Sequence, residues 1–167
     1  NLCNASPAAD SVPPMIAAAA IANIVGPKGS RDIPVEDIII KPGHTSLTKG
    51  EIIVSFQLPN RPPKSGDAYL RFTPRTEMDI AVVGVAINLT LNDNGVWKSA
   101  SLAFVAIATT PILADTPAQT FITTTLEVNA IEHRTSAVQA SCSPLNHKTR
   151  PPRIRVEPVA GCAHRVG

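Results

Sequence analysis

Apolar and polar positions alternate in one part of the chain and cluster in another, and that contrast separates strand from helix. In "DIAVVGVAINLTL", residues 79–91, Val83, Val85, Ile87, Leu89 and Leu91 fall two apart on one face, the period of a half-buried strand. "NDNG" follows, and Asn94-Gly95 suits a tight hairpin turn. "VWKSASLAFVAIA", 96–108, returns as a second strand, and "AYLRFTPR", 68–75, precedes the pair as a third. Residues 68–108 therefore predict a three-stranded antiparallel sheet.

Elsewhere the pattern is more broken. Residues 12–22 predict a helix, because "SVPP" can open one with proline in the first turn and four consecutive alanines favour it. "GPKGS", 26–30, is a turn between short extended pieces at 21–25 and 31–34. "DIIIKPGHTSLTKGE", 37–51, is a loop carrying one apolar triplet, and "IIVSFQLP", 52–59, is a strand that ends at a proline. "RPPKSGD" is a loop. After "TTPILA" the β pattern fades. Residues 115–122 and 128–142 have helical potential, interrupted by Thr123, Thr124 and Thr125, and 154–166 has less, broken by Pro158 and Gly161. A helix with short strands, then a sheet, then helices is an α+β order.

Composition limits what such a fold can do. Aromatic residues are only 4% of the 167, so the core has to be built from Ala, Val, Ile and Leu. The net charge of +2 gives no reason to expect nucleic-acid binding. It is unevenly spread: residues 1–133 carry nine basic and twelve acidic side chains, whereas 134–167 carry six basic residues and only Glu157. That basic tail suits an anion or an acidic partner, and equally a solvated helix face or a poorly ordered end. Cys3, Cys142 and Cys162 are odd in number and widely spaced, with no CxxC pair, so neither a zinc site, a cluster nor a disulfide framework is signalled. Reduced thiols fit a cytoplasmic protein. The sequons Asn4-Ala-Ser6 and Asn88-Leu-Thr90 would matter only in a secreted chain. The run "MIAAAAIANIV" is too short to cross a bilayer and follows no basic region, so neither a transmembrane segment nor a signal peptide is predicted.

The usual catalytic signals are missing. There is no GxSxG, no HExxH and no glycine-rich phosphate loop. His44, His133, His147 and His164 are scattered without acidic partners at a telling spacing, and nothing near Ser141-Cys142-Ser143 would activate a nucleophile. Motif logic alone stops at a soluble cytoplasmic α+β domain, which a plain binding or scaffolding module would also be. One stretch goes further. In "NLCNASPAAD", residues 1–10, Asn1, Asn4 and Ser6 are short polar side chains that hold turns and leave backbone N–H groups free. A helix start beyond them would attract a phosphate. Asp10 stands at that entrance, where its carboxylate would accept bonds from sugar hydroxyls or cap the helix.

"NLCNASPAAD" resembles the "GGN(I/L)xxxSPxxD" segment of the FAD-binding medium subunit of molybdenum hydroxylases, the family of carbon monoxide dehydrogenase and xanthine dehydrogenase flavoproteins. The likeness continues through "GSRDIPVEDI", "LTKGEIIVSFQLP", "AYLRFTPRTEMDIAVVGVAINL", "LAFVAIATTPILA" and "ASCSPLN", in order along nearly the whole chain. It implies an oxidoreductase subunit, inactive by itself, that carries electrons from [2Fe–2S] clusters through FAD to an acceptor. The clusters and the molybdopterin would sit on a small and a large partner subunit, in a heterohexamer. It implies that residues 1–57 close the FAD-binding domain and that 63–167 form a carboxyl-terminal domain with the three-stranded sheet and a helical bundle. It matches Asn1 to the Asn that ends the GGN turn near the FAD phosphates, and Ser6 to the turn behind it. Asp10 matches the Asp that contacts the cofactor at the ribityl chain. Ile53 matches an apolar position whose backbone lies by the isoalloxazine, and Arg71 a cation near the flavin ring. No catalytic residue and no metal ligand of its own is implied.

Two departures stand beside the likeness. The family's two glycines before Asn1 are absent, as is the amino-terminal half of the FAD domain, so the chain looks truncated, with one wall of the site and weak or no FAD affinity of its own. After "SCSPLN" the chain reads "HKTRPPRIRVEPVAGCAHRVG", where the family has a Tyr and a helix; Pro151, Pro152, Arg150, Arg153 and Arg155 fit either an altered reading frame or divergence. The alternative is a remnant domain that holds no flavin and binds a partner through its sheet or basic tail.

Overall fold

The computed structural model describes residues 1–73, 80–105 and 112–113. The helices expected at 115–122, 128–142 and 154–166, the helical bundle and the basic tail lie outside the described residues, with Cys142, Cys162 and three of the four histidines.

A single short α-helix, α1 (Val12–Ala17), follows the amino-terminal loop. It stops five residues before the end expected from the alanine run. Ala19 sits at φ +53°, and its amide and that of Ala20 bond back to Ile16 and Met15 at 2.9 Å. This is the Schellman ending that glycine usually makes. The chain then enters β1 (Ile21–Gly26), which pairs on one side with β2 (Gly29–Pro34) and on the other with a later strand. Two antiparallel ladders and the burial of Ala22 and Ile24 outweigh the helical preference of four alanines. The β1–β2 turn is the expected one, with Gly29 at φ +115°.

Between Val35 and Thr45 the structure is more ordered than a loop. A 3-10 turn over Val35–Asp37 leads into β3 (Ile39–Lys41), which pairs with the two-residue β4 (His44–Thr45). The apolar triplet explains it: Ile38 and Ile39 are buried and only Ile40 faces solvent. β5 (Ile52–Gln57) closes a three-stranded sheet in the order β2-β1-β5.

The second sheet contains the three predicted strands, as β6 (Ser65–Phe72), β7 (Val83–Leu91) and β8 (Trp97–Val105). It has a fourth, β9 (Ile112–Leu113), paired with Ala103 and Phe104, so the expected count of three is corrected. Two residues within "TTPILA" are too few to show a period of two. The β7–β8 hairpin is organised by Asn92, whose Oδ1 accepts from the amides of Asn94 at 3.0 Å and Val96 at 2.9 Å, while Gly95 takes φ +76°.

The two faces of this sheet differ in size. Val83, Val85, Ile87, Leu102 and Phe104 fill one face with Trp97, and Leu70, Leu89 and Leu91 pack beside them. Ala86 and Ala103 belong to the other face, with Gly84 in the same row, and their smallness lets α1 lie close. Ala86 and Ala103 share one core with Leu2, Ala5, Ala9, Val12 and Ile16, so the amino-terminal loop and the second sheet are packed as a unit. The described residues are thus mostly strand with one short helix, and the helical part of the α+β reading lies outside them.

Candidate functional site

The loop over residues 1–10 is two consecutive turns. The amide of Ala5 bonds the Leu2 carbonyl at 2.9 Å, and that of Ser6 bonds the Asn1 carbonyl at 3.1 Å. The Ser6 hydroxyl accepts from the amide of Ala8 at 3.4 Å, as its turn-holding reading requires. Leu2, Ala5 and Ala9 are buried and pin the loop to the core. The amides of Leu2, Cys3 and Asn4 find no acceptor among the described residues.

Asp10 leaves this loop toward β6. The Tyr69 hydroxyl donates to its Oδ1 at 2.9 Å, and Nη1 of Arg71 donates to its Oδ2 at 2.8 Å. The carboxylate leans on the second sheet without being buried: its side chain keeps 36% exposure and that of Arg71 48%. Asp10 does not cap the helix. The cap position is Ser11, with no side-chain bond, because Pro13 and Pro14 occupy places whose N–H a cap would use. The same prolines, in a helix of six residues, remove the basis for a phosphate at the helix end. The open donors are in the preceding turn instead.

Asp10 and Arg71 are therefore brought together, and Asn1 and Ser6 share the loop with Asp10. Ile53 stands apart on β5, half-buried against the first core and opposite Ile24 of β1. The sequence reading missed Tyr69. Its signal was parity: Tyr69 and Arg71 are two apart on one strand and must project from the same face. The reading also missed Gly84, directly opposite Arg71 on β7.

A second charged group braces the first sheet. Arg31 bonds both oxygens of Glu51, at 2.8 and 2.9 Å, and the Ser46 carbonyl at 3.0 Å. The Arg31 hydrogen bond, with the amide of Thr48, lowers the Glu51 carboxyl from 4.5 to about 2. On the same sheet Asp32, Asn23 and Ser55 form a side-chain ladder across three strands, with bonds of 2.7 and 2.6 Å. A cavity of about 310 Å³ lies between α1 and the 58–62 segment, lined by Met15, Leu58, Arg61 and Asp67, and it includes none of the five expected site residues. Among the described residues no helix is long and apolar enough to cross a membrane, and no three His, Cys, Asp or Glu side chains group to hold a metal ion.

Comparison with known proteins places the chain in a family. Residues 1–61 match the FAD binding domain in molybdopterin dehydrogenase, and residues 68–166, more than half the chain, match the CO dehydrogenase flavoprotein C-terminal domain. The chain belongs to the flavin-subunit family of the molybdenum hydroxylases. It is 33% identical over 145 residues to a xanthine dehydrogenase FAD-binding subunit of Escherichia coli, covering 86% of this chain and 49% of that one. It is 25% identical over 157 residues to the carbon monoxide dehydrogenase medium chain of Afipia carboxidovorans, covering 94% and 54%. Carbon monoxide dehydrogenase of Hydrogenophaga pseudoflava shares the fold, with a TM-score of 0.90 at 21% identity over 99% of this chain and 57% of that one. The chain spans about half the length of the curated relatives that it matches.

Proposed function

We propose that the chain forms part of the FAD site of an electron-transfer subunit in a cytoplasmic molybdenum hydroxylase, with residues 1–57 ending the flavin domain and 63–167 forming the carboxyl-terminal domain. The reading is carried by one observation: Asp10 is pinned at both oxygens yet only half-buried, in a loop where three amides find no acceptor among the described residues. That donor set fits a dinucleotide. A carboxylate oxygen that accepts one protein bond keeps a lone pair for a sugar hydroxyl, and open turn amides suit a phosphate. Bound FAD would supply two-electron chemistry, taking electrons from [2Fe–2S] clusters on a small partner subunit and passing them to an acceptor; the molybdopterin belongs to a large subunit.

The chain's own residues bind and orient. Asn1 and Ser6 shape the turn that presents the amides. Asp10 fixes the ribityl chain. Ile53 offers backbone and an apolar side chain to the isoalloxazine. Arg71 places positive charge beside it while one arm of its guanidinium holds Asp10.

Flavin titration tests this reading. The chain is mixed with FAD and with the amino-terminal half of the Escherichia coli relative, and flavin fluorescence is followed. Quenching that needs both components and is lost in Asp10→Ala is expected. Fluorescence that stays at the free-flavin level under all conditions would mean a remnant domain without flavin.

A further inference from the structure

We infer that Tyr69 and Gly84 are positioning residues for the Asp10 carboxylate: Gly84 leaves the space in which the Tyr69 phenol lies, and the phenol fixes the direction of the carboxylate. The inference rests on the reading of Asp10 as a flavin contact only in what the carboxylate is aimed at.

Tyr69 and Arg71 project from one face of β6, and Gly84 pairs with Arg71 on one side and with Val105 on the other. A Cβ on Gly84 would stand 2.5 Å from the Tyr69 hydroxyl oxygen, 3.1 Å from its ring and 2.8 Å from Val105 Cγ1. The phenol thus lies across β7, on the face that packs against α1. Gly84 is an interior strand residue outside the left-handed region, so its backbone does not require glycine. Glycine is unfavourable inside a strand, and the neighbouring ring is the reason for it here. Any side chain at 84 would push the hydroxyl off Asp10.

One donor alone would let a carboxylate swing about its side-chain torsions. Two donors, a phenol on Oδ1 and a guanidinium on Oδ2, come from residues two apart on a rigid strand and select one orientation. Arg71 provides the charge. Tyr69 decides where the second oxygen points.

Tyr69 is the only tyrosine in the chain, so 3-fluorotyrosine labelling yields a single fluorine NMR resonance. Asp10→Asn and Gly84→Ala should each shift it. In the Gly84→Ala background, Asp10→Asn should shift it by less than half as much, because the bond is already broken. Should Gly84→Ala fail to fold, Gly84→Ala/Val105→Ala relieves the 2.8 Å contact, keeps the phenol clash and carries the same test. A resonance that Gly84→Ala leaves in place, or an Asp10→Asn shift undiminished by it, overturns the inference. In parallel, FAD is titrated into the reconstituted subunit, where Tyr69→Phe should weaken binding about tenfold and add little to Asp10→Asn. Coupled shifts without FAD binding in any variant overturn the flavin reading but not the positioning of Asp10. Uncoupled shifts with FAD still bound overturn the positioning and leave the flavin reading intact.

Discussion

On one face of the second sheet, Val83, Val85, Ile87, Leu102 and Phe104 are large and buried. On the other, Gly84, Ala86 and Ala103 are small, and the row extends to Tyr69 and Arg71, which reach Asp10. Both faces come from the same alternating strands. The large face contributes burial, which scales with apolar area. The small face gives up burial so that α1 and the amino-terminal loop can approach, and that approach brings a loop carboxylate to strand donors 59 and 61 positions away. The contrast teaches that residue size, rather than hydrophobicity, divides the stabilising face from the site-building one.

That division can be broken from either side. The largest effect is expected at Phe104→Ala, which removes a ring with no exposed surface and should cost about 3–5 kcal/mol in urea unfolding. The fluorine resonance of Tyr69 should stay in place wherever that variant remains folded. Ala103→Leu adds bulk on the small face, against the α1 cluster. A cost of about 1–3 kcal/mol is expected, together with a moved Tyr69 resonance, because α1 and Asp10 shift as one. If Phe104→Ala moved the resonance and Ala103→Leu did not, the assignment of roles to the two faces would be reversed.

The smallest effect belongs to neither face and serves as a control. Glu51 is held at about 2 by Arg31 and the Thr48 amide, below its ordinary value of 4.5. Its contribution to stability is therefore complete above the ordinary value and is lost as pH falls from about 4.5 toward 2. Glu51→Gln should be less stable than the native chain at pH 7, and the two stabilities should converge near pH 2. The Tyr69 resonance should be indifferent to it, since the Arg31–Glu51 pair braces the first sheet.

The sequence by itself determined three of the four strands of the second sheet, the β1–β2 turn, the family, and Ser6 as a turn-holding residue of the amino-terminal loop. Each is a local signal: a period of two, a Gly-Pro step, short polar side chains, a shared motif. It did not determine where the alanine run stops being helix, since β1 is decided by ladders to the adjacent β2 and to β5, which is distant in the chain. The sequence also left Asp10 open between a cap and a ligand contact. Tertiary structure excluded the cap, because the donors that claim the carboxylate lie on β6, and helix capping loses to a phenol and a guanidinium where two prolines leave no amides to cap. Gly84 was illegible for the same reason. A glycine in a strand carries no local message, and its meaning appears only when the ring of Tyr69 fills the space that a side chain would have taken.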